Sequence, residues 1–303
     1  MNPKRILILF ALSVFLTLSS CEPPKQQSKD NNFTFAFLTD IHIQPERHAI
    51  EGFRTAINKV NELKPDFVIT GGDLVMDALG TRKSRVDSLY DIYTGMLPEF
   101  KMPVYNTIGN HEHFGWYTES GADPNDPEFG DKIFEKRIGP RYQRVDRFGW
   151  IFFILDSVVR DSTGGYEGGV DAEQIAWLKD QLSKIPAETP IVISVHIPLL
   201  TCEAQIQRGS TAPNEPGEVI VNSKEVEGLF KDHNLQLVLQ GHLHYYEYMH
   251  VYGTTYITGG AVSARWWQGP YLGTEEGFVL LKVTDGKLSW EYIDDGWQVE
   301  THQ

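Results

Sequence analysis

Cysteine and positive charge are both scarce in this chain, and each shortage narrows what it can do. Only two of its 303 residues are cysteine, Cys21 and Cys202, which argues against a structural zinc site built on cysteine ligands. Lysine and arginine total 27 against 41 aspartate and glutamate, giving a formal charge of −14. An acidic surface disfavours long nucleic-acid duplexes, which select basic grooves. Small anionic substrates that reach a locally cationic centre are still allowed.

Long hydrophobic runs are also absent, apart from one near the N-terminus. The apolar stretch from Ile6 to Leu18 follows a basic start and is too short for a comfortable membrane span. It ends at Leu18-Ser19-Ser20-Cys21, which resembles the bacterial lipobox, in which the cysteine becomes lipidated after cleavage. An ordinary signal peptide with an incidental Cys21 is the alternative. With Cys21 lipidated, Cys202 has no partner for an intrachain disulfide.

These features predict where the protein is located in the cell and how the chain is divided into segments. We expect a lipoprotein signal peptide at 1–20, a flexible tether at 21–32 rich in proline, glutamine and serine, and one folded domain at 33–303. The protein would lie in the bacterial cell envelope, on the periplasmic or surface side of a membrane, and would contact that membrane only through its N-terminal lipid. The chain from Cys21 onward has 283 residues (303 minus 20), enough for one large α/β domain.

Five short segments offer metal-binding side chains, each at the end of an apolar run typical of a β-strand. They are Asp40-Ile41-His42, Gly71-Gly72-Asp73, Gly109-Asn110-His111-Glu112, His196 and Gly241-His242-Leu243-His244. Each alone is more typical of a turn or a buried core histidine. Because ligands collect at the carboxyl ends of strands in open α/β sheets, we expect the five segments to form one rim. Seven donors are too many for one tetrahedral ion and suit two ions that share a carboxylate.

The order of these segments resembles that of the calcineurin-like metallophosphoesterase superfamily, from Phe33 to the last strands. The resemblance implies an α/β fold, a four-layer αββα sandwich of two mixed β-sheets flanked by helices, for which we expect about ten strands. It also implies two metal sites. Asp73 would bridge the two ions, as a member of both ligand sets. One set is Asp40, His42, Asp73 and His244, and the other is Asp73, Asn110, His196 and His242.

The same resemblance implies roles for two neighbouring residues. His111 would point at the phosphoryl group and protonate the leaving alkoxide, and Glu112 would orient Asn110 or His111 from behind. The mixed carboxylate, amide and imidazole ligands suit two divalent ions of Mn, Fe or Zn. Such a pair neutralises a phosphoester, lowers the pKa of a bridging water and aligns the hydroxide for in-line attack.

Helices and C-terminal strands are predicted between and after these segments. Apolar residues at helical spacing predict helices around 50–63, 89–97 and 175–185, the last with an Asp171 to Gln174 cap. Strands are predicted at Thr254–Thr258, Gly277–Val283 and Lys287–Ile293, with a hairpin turn at Asp285-Gly286.

Substrate contacts are expected from loops that carry aromatic and basic residues. Trp116 and Tyr117 could form pocket walls, and Arg208 or Arg265 could meet a phosphate. Packing of these rings onto the sandwich is an equally open alternative. Met76 stands where purple acid phosphatases have a metal-binding tyrosine, and no Asp-Arg pair typical of protein phosphatases follows Asp73. The motif set therefore resembles the small single-domain phosphodiesterase group.

The sequence predicts a metal-dependent phosphohydrolase, most specifically a phosphodiesterase, that acts on a small phosphate ester. Two alternatives stay open at this point. One is a phosphomonoesterase of the same superfamily, and the other is a non-catalytic envelope lipoprotein with structural metals. The ligand set is complete in the sequence, which favours an enzyme.

Overall fold

The computed structural model describes residues 32–299. The predicted signal peptide, Cys21 and the predicted tether up to residue 31 lie outside the described residues, so these assignments stay predictions. Within 32–299, no helix combines the length and the apolar character that crossing a bilayer requires.

Thirteen β-strands and six α-helices lie within the described residues, more strands than the ten expected. The strands are β1 (Phe33–Leu38), β2 (Phe67–Thr70), β3 (Val104–Tyr105), β4 (Gln143–Arg147), β5 (Trp150–Ile154), β6 (Val158–Arg160), β7 (Tyr166–Gly168), β8 (Pro190–Ser194), β9 (Asn234–Gln240), β10 (Tyr246–Val251), β11 (Thr254–Gly259), β12 (Gly277–Thr284) and β13 (Lys287–Asp294). The helices are α1 (Ala49–Leu63), α2 (Lys83–Met96), α3 (Lys132–Arg137), α4 (Ala172–Leu182), α5 (Glu203–Arg208) and α6 (Ser223–Leu229).

Two large mixed sheets contain eleven of these strands. The first has the order β13-β12-β1-β2-β3, with β1, β2 and β3 parallel and the β12 and β13 pairings antiparallel. The second has the order β10-β11-β9-β8-β5-β4, with β11, β9, β8 and β5 parallel and both outer pairings antiparallel. A small antiparallel sheet of β6 and β7 stands apart from them.

Three hydrophobic cores show how the sheets stack. β1 alternates between two of them: Phe33, Phe35 and Phe37 pack between the sheets, while Ala36 and Leu38 pack in the cluster that includes α1 and α2. A third cluster joins the second sheet to α4 and α6. Because successive strand side chains point to opposite faces, a strand buried on both faces reads as a continuous apolar run. The predicted four-layer αββα sandwich is confirmed.

Several local predictions differ from the structure. The apolar run at 104–108, before Gly109, predicts a strand along its whole length, but β3 ends at Tyr105. Beyond it the Asn106 side-chain Oδ1 accepts hydrogen bonds from the Tyr93 hydroxyl at 2.6 Å and the Thr70 hydroxyl at 3.1 Å. These side-chain bonds supplement a backbone bond in this segment that still reaches β2, from the Thr107 N–H to the Thr70 carbonyl at 3.2 Å. The predicted Asp171 cap of α4 is confirmed, because its carboxylate accepts from the Gln174 backbone N–H at 2.8 Å.

Candidate metal centre

The predicted ligand segments meet at one edge of the sandwich, but the two sheets share them. β1, β2 and β3 of the first sheet precede the segments at Asp40, Asp73 and Asn110, while β8 and β9 of the second precede those at His196 and His242. Direct bonds join the two groups. The His196 Nδ1–H donates to the Gly71 carbonyl at 2.8 Å, and the His242 backbone N–H donates to the Asp40 carboxylate at 3.0 and 3.1 Å. The rim is therefore formed where two sheets face each other.

One cluster of donors consists of Asp40, His42 and His244, whose ligand atoms lie within 4.8 Å of one another. The His42 and His244 Nε2 atoms are 3.0 Å apart, and the His244 Nε2 is 3.5 Å from the Asp40 Oδ1. The Thr39 hydroxyl donates to the Asp40 Oδ2 at 2.6 Å. This bond leaves Oδ1 as the oxygen that faces the imidazoles.

A second cluster consists of Asp73, His196 and His242, again with ligand atoms within 4.8 Å. The His196 Nε2 lies 3.2 Å from the Asp73 Oδ1, 2.9 Å from the Asn110 Oδ1 and 3.2 Å from the His242 Nδ1. Asn110 thus joins this cluster through its amide oxygen.

Asp73 connects the two clusters, since its two oxygens face opposite ways. Its Oδ1 lies against His196, while its Oδ2 lies 3.6 Å from the His42 Nε2 and 3.8 Å from the His111 Nε2. All three histidine nitrogens belong to imidazoles that surround one buried carboxylate. This is the arrangement required of a carboxylate that bridges two cations.

The donor chemistry of the rim fits bound cations. The Nδ1–H groups of His196 and His244 donate to the backbone carbonyls of Gly71 and Ala264, at 2.8 and 2.6 Å, so each presents its Nε2 to the rim. The Nε2 of His196 then faces two oxygen acceptors. Lone pairs that converge without a hydrogen atom between them repel one another. A proton or a metal ion between them removes the repulsion. The residues present therefore fit a pair of divalent metals.

Burial and neighbouring charges also shift the pKa values of the side chains at the rim. Burial alone would lower the pKa of His196, but the adjacent Asp73 carboxylate outweighs it and raises that pKa to about 9. Burial alone would likewise raise the pKa of Asp73, and His196 and His111 hold it well below its usual range. Burial lowers the pKa of His242 to about 3, with a further contribution from His196. His242 is thus a neutral donor at physiological pH.

The backbone at the rim is held in a strained conformation. Five of the seven predicted ligand residues have positive φ: Asp40 at 54°, His42 at 46°, Asp73 at 50°, His242 at 73° and His244 at 63°. Residues other than glycine rarely adopt this region, and such strain concentrates at functional sites.

His111 lies at the entrance of the rim, where it forms a third group with His42 and Asp73 whose ligand atoms lie within 4.8 Å of one another. Its Nδ1–H donates to the Met76 carbonyl, its Nε2 faces Asp73, and its ring packs edge-on against His42 at 4.8 Å. The side chain is 23% exposed. A partly exposed imidazole whose outer nitrogen faces the centre is placed to exchange a proton with a substrate oxygen.

Glu112 makes contacts that differ from those expected. Its fully buried carboxylate accepts backbone N–H groups of Gly109 at 2.7 Å, Asp73 at 2.9 Å, Leu74 at 2.7 Å and Val75 at 3.0 Å. It thereby joins the loops after β2 and β3, instead of orienting the Asn110 or His111 side chains. Burial, with a contribution from Asp73, raises its pKa to about 7.

Most predicted substrate contacts have other roles in the structure. Trp116 is buried and packs on His113, with ring centres 4.1 Å apart. It belongs to the hydrophobic cluster between the second sheet and α4, and Tyr117 packs against that cluster. Arg208 is engaged by Glu218, with oxygen atoms at 2.7 and 2.8 Å from its guanidinium. Arg265 is exposed. Trp116 therefore packs onto the sandwich, which was the alternative to forming a pocket wall. The charge of Arg208 is neutralised by Glu218.

Three further aromatic residues lie close to the ligands. The ring of Trp266 lies 4.6 Å from that of His244, Tyr271 lies 6.2 Å from the same ring, and Tyr166 lies 6.1 Å from His242. Each belongs to a hairpin or loop with no motif. The sequence indicated Trp266 alone, because it lies in the loop at 264–267, where aromatic residues were expected to contact the substrate.

Comparison with known sequences agrees with this geometry. A family model described as calcineurin-like phosphoesterase matches residues 33–246. A 3',5'-cyclic-nucleotide phosphodiesterase of Nostoc is 26% identical over 221 residues, which are 70% of this chain and 71% of the relative. A probable cyclic nucleotide phosphodiesterase of Fibrobacter succinogenes is 23% identical over 217 residues, 68% of this chain and 71% of the relative.

Solved structures with the same fold include a dimetal phosphatase from Danio rerio. It has a TM-score of 0.61 at 15% identity, covering 87% of this chain and 96% of the other. GAP50, described as the anchor in the inner membrane complex of Plasmodium, has a TM-score of 0.55 at 14% identity, with coverage of 89% and 87%. At such identities these likenesses show the fold alone. Since the family match extends over most of the two sheets, the chain belongs to the calcineurin-like phosphoesterase family and is a hydrolase of phosphoric esters.

Proposed function

We propose that the protein is a metal-dependent phosphodiesterase with a dinuclear centre. The ligands would be Asp40, His42, Asp73 and His244 for one ion, and Asp73, Asn110, His196 and His242 for the other. The proposal depends above all on Asp73, whose two oxygens face separate donor clusters at 3.2 and 3.6 Å. The named cyclic-nucleotide phosphodiesterases among its relatives support a diester substrate.

In this proposal the protein residues position the ester and move its protons. Bound divalent ions would neutralise charge on the phosphoryl group and lower the pKa of a coordinated water. Water oxygen bonds to phosphorus, one P–O ester bond breaks, and the departing alkoxide takes a proton, leaving a phosphomonoester and an alcohol. His111 would donate that proton from Nε2, because its Nδ1 is occupied by the Met76 carbonyl.

Space beside the ligands supports a diester over a monoester. A cavity of about 130 Å³ borders His242 and His244 on the side of Trp266 and Tyr271. A monoester has one alcohol group to accommodate, whereas a diester has two. The cavity would hold the second alcohol while the first leaves beside His111.

A comparison of model substrates tests the proposal. The protein, loaded in turn with Mn²⁺, Fe²⁺ or Zn²⁺, is assayed with bis(p-nitrophenyl) phosphate, with p-nitrophenyl phosphate and with 3',5'-cyclic AMP. We expect a higher kcat/KM for diesters than for the monoester, loss of activity with EDTA and recovery when metal is restored. A reversed preference would identify a phosphomonoesterase. Inactivity of fully metallated protein on every ester would favour the scaffold alternative.

A further inference from the structure

The cavity beside the metal centre has an unusual lining for an enzyme of anionic substrates. Aromatic side chains of Tyr245, Trp266 and Tyr271 form part of its wall, and the carboxylates of Glu203 and Glu218 form another part. Within the described residues, the ionisable groups that line it, apart from His242, His244 and the tyrosines, are these two acids. A second phosphate or a carboxylate of the substrate would be repelled there.

The aromatic part of the wall is ordered around a ligand histidine. The ring centres of Trp266 and Tyr271 lie 6.3 Å apart, and both rings pack against His244. The Trp266 backbone carbonyl accepts a hydrogen bond from the Arg47 guanidinium at 3.1 Å. The faces of tryptophan and tyrosine rings attract cations through their quadrupole.

The two carboxylates differ in how far their charge is satisfied. Glu218 accepts hydrogen bonds from Nη1 and Nη2 of Arg208, at 2.7 and 2.8 Å. Glu203, on the same short helix as Arg208, has a buried Oε2 with no hydrogen-bond partner within residues 32–299. Burial and the neighbouring Glu218 raise the pKa of Glu203 and outweigh the attraction of Arg208, since burial without a hydrogen-bonded cation disfavours the charged form.

We infer that this cavity binds a small alkylammonium group, so that the substrate is a phosphodiester of a choline-type or ethanolamine-type alcohol. Ring faces and an unpaired carboxylate are the groups that recognise such cations. A volume of about 130 Å³ is well below the roughly 300 Å³ at which pockets for drug-sized ligands begin. It therefore suits a group of a few heavy atoms better than a nucleoside. The phosphodiester part of this inference rests on the proposed function, whereas the ammonium site does not need the metals.

Binding to metal-free protein tests the ammonium site without any turnover. Calorimetric titration with choline is compared with titration by 3,3-dimethylbutan-1-ol, the uncharged molecule of the same shape in which carbon replaces nitrogen. We expect choline to bind at least tenfold more tightly. Glu203→Gln should remove most of that difference, and Trp266→Leu should weaken choline binding by a similar factor. Glu188→Gln, an exposed carboxylate at the amino end of β8, is the matched control and should leave choline binding unchanged.

Hydrolysis by the metal-loaded protein provides the second measurement. The ratio of kcat/KM for glycerophosphocholine to that for its 3,3-dimethylbutyl analogue should exceed ten in the wild type and fall at least fivefold in Glu203→Gln. Equal affinities for choline and the neutral alcohol, or a ratio near one, would overturn the ammonium site even if bis(p-nitrophenyl) phosphate is hydrolysed. Vesicles of phosphatidylcholine, assayed beside soluble glycerophosphocholine, distinguish a lipid headgroup from a free diester as the source. A kcat/KM for 3',5'-cyclic AMP far above that for glycerophosphocholine would also count against it.

Discussion

At the scale of single residues, Asp73 is the side chain on which the proposed metal binding depends most. It lies 1% exposed between two imidazole clusters, and without metal its charge is stabilised by His196, His111 and His42. In the proposed dinuclear centre, replacement by a neutral side chain would remove a ligand from both ions at once. Asp40, in contrast, faces one cluster only.

We therefore expect Asp73→Ala to lose both metal ions and Asp40→Ala to retain the ion bound by Asn110, His196 and His242. Protein reconstituted with Mn²⁺ and then dialysed is measured by plasma mass spectrometry. Asp232→Asn, at the exposed turn before β9, serves as the control and should match the wild type. Full retention of one ion in Asp73→Ala would show that its carboxylate does not bridge.

His111 is expected to act on the substrate and not on the metals. His111→Ala should reduce kcat for a diester by about 10²- to 10⁴-fold, the usual contribution of a general acid, while bound metal stays close to the wild-type amount. The loss should be smaller for an ester whose leaving group is a nitrophenolate, which needs little protonation. Parallel losses of metal and activity would make His111 a ligand instead.

At the scale of elements, Glu112 joins two loops that the sheet alone does not hold together. Each of its oxygens accepts two backbone N–H groups, Oε1 from Leu74 and Val75 and Oε2 from Asp73 and Gly109. Buried donors without a partner cost free energy. The loop that presents Asp73 is thus positioned by a side chain from the loop that presents Asn110.

Glu112→Gln replaces one acceptor oxygen by an NH₂ group that would face two N–H donors. We expect the free energy of unfolding to fall by about 3 kcal/mol, since each unsatisfied buried donor costs roughly 1–3 kcal/mol. Urea denaturation at pH 8, above the pKa of about 7 of this carboxyl, measures the change. Glu135→Gln, an exposed acid on α3, should shift the midpoint little. A Glu112→Gln protein as stable as that control would contradict this account.

At the scale of the whole molecule, buried carboxyl groups outside the metal centre set part of the pH dependence of stability. Asp295, at the end of β13, is 7% exposed, and its Oδ2 has no partner within the described part of the chain. Burial raises its pKa to about 7, with further repulsion from Glu276 and Asp294. The folded protein therefore holds this proton more tightly than the unfolded chain does.

A raised acid pKa contributes stability that is fully present below about pH 4 and is lost as pH rises through about 7. Relative to Asp295→Asn, the wild type should lose up to about 1.4 kcal/mol of unfolding free energy per pH unit within that window. Urea titrations at several pH values give the difference between the two curves. Asp285→Asn, in the exposed β12–β13 hairpin, should instead run parallel to the wild type, and a parallel curve for Asp295→Asn would refute the assignment.

The sequence by itself, through its motifs and the family that they resemble, determined the αββα sandwich and the side chains that meet at its rim. Apolar runs fix strands locally, and polar residues that follow parallel strands are brought to one edge by the pairing itself. The local pattern of apolar and polar residues does not predict which side chains make contact when they are far apart in the sequence. Asp40 and His242, 202 positions apart, are joined only because two sheets face each other.

Three features depend on the tertiary structure alone. Trp116 is buried in the core, Glu218 neutralises Arg208, and the Glu112 carboxylate accepts four backbone N–H groups. The tertiary structure also placed Trp266, Tyr271 and Glu203 around one cavity. These outcomes depend on how loops of different strands pack, and burial and ion pairing act through space without a period in the sequence. The ligands follow the strands that carry them, whereas the substrate cavity is determined by the loops between them.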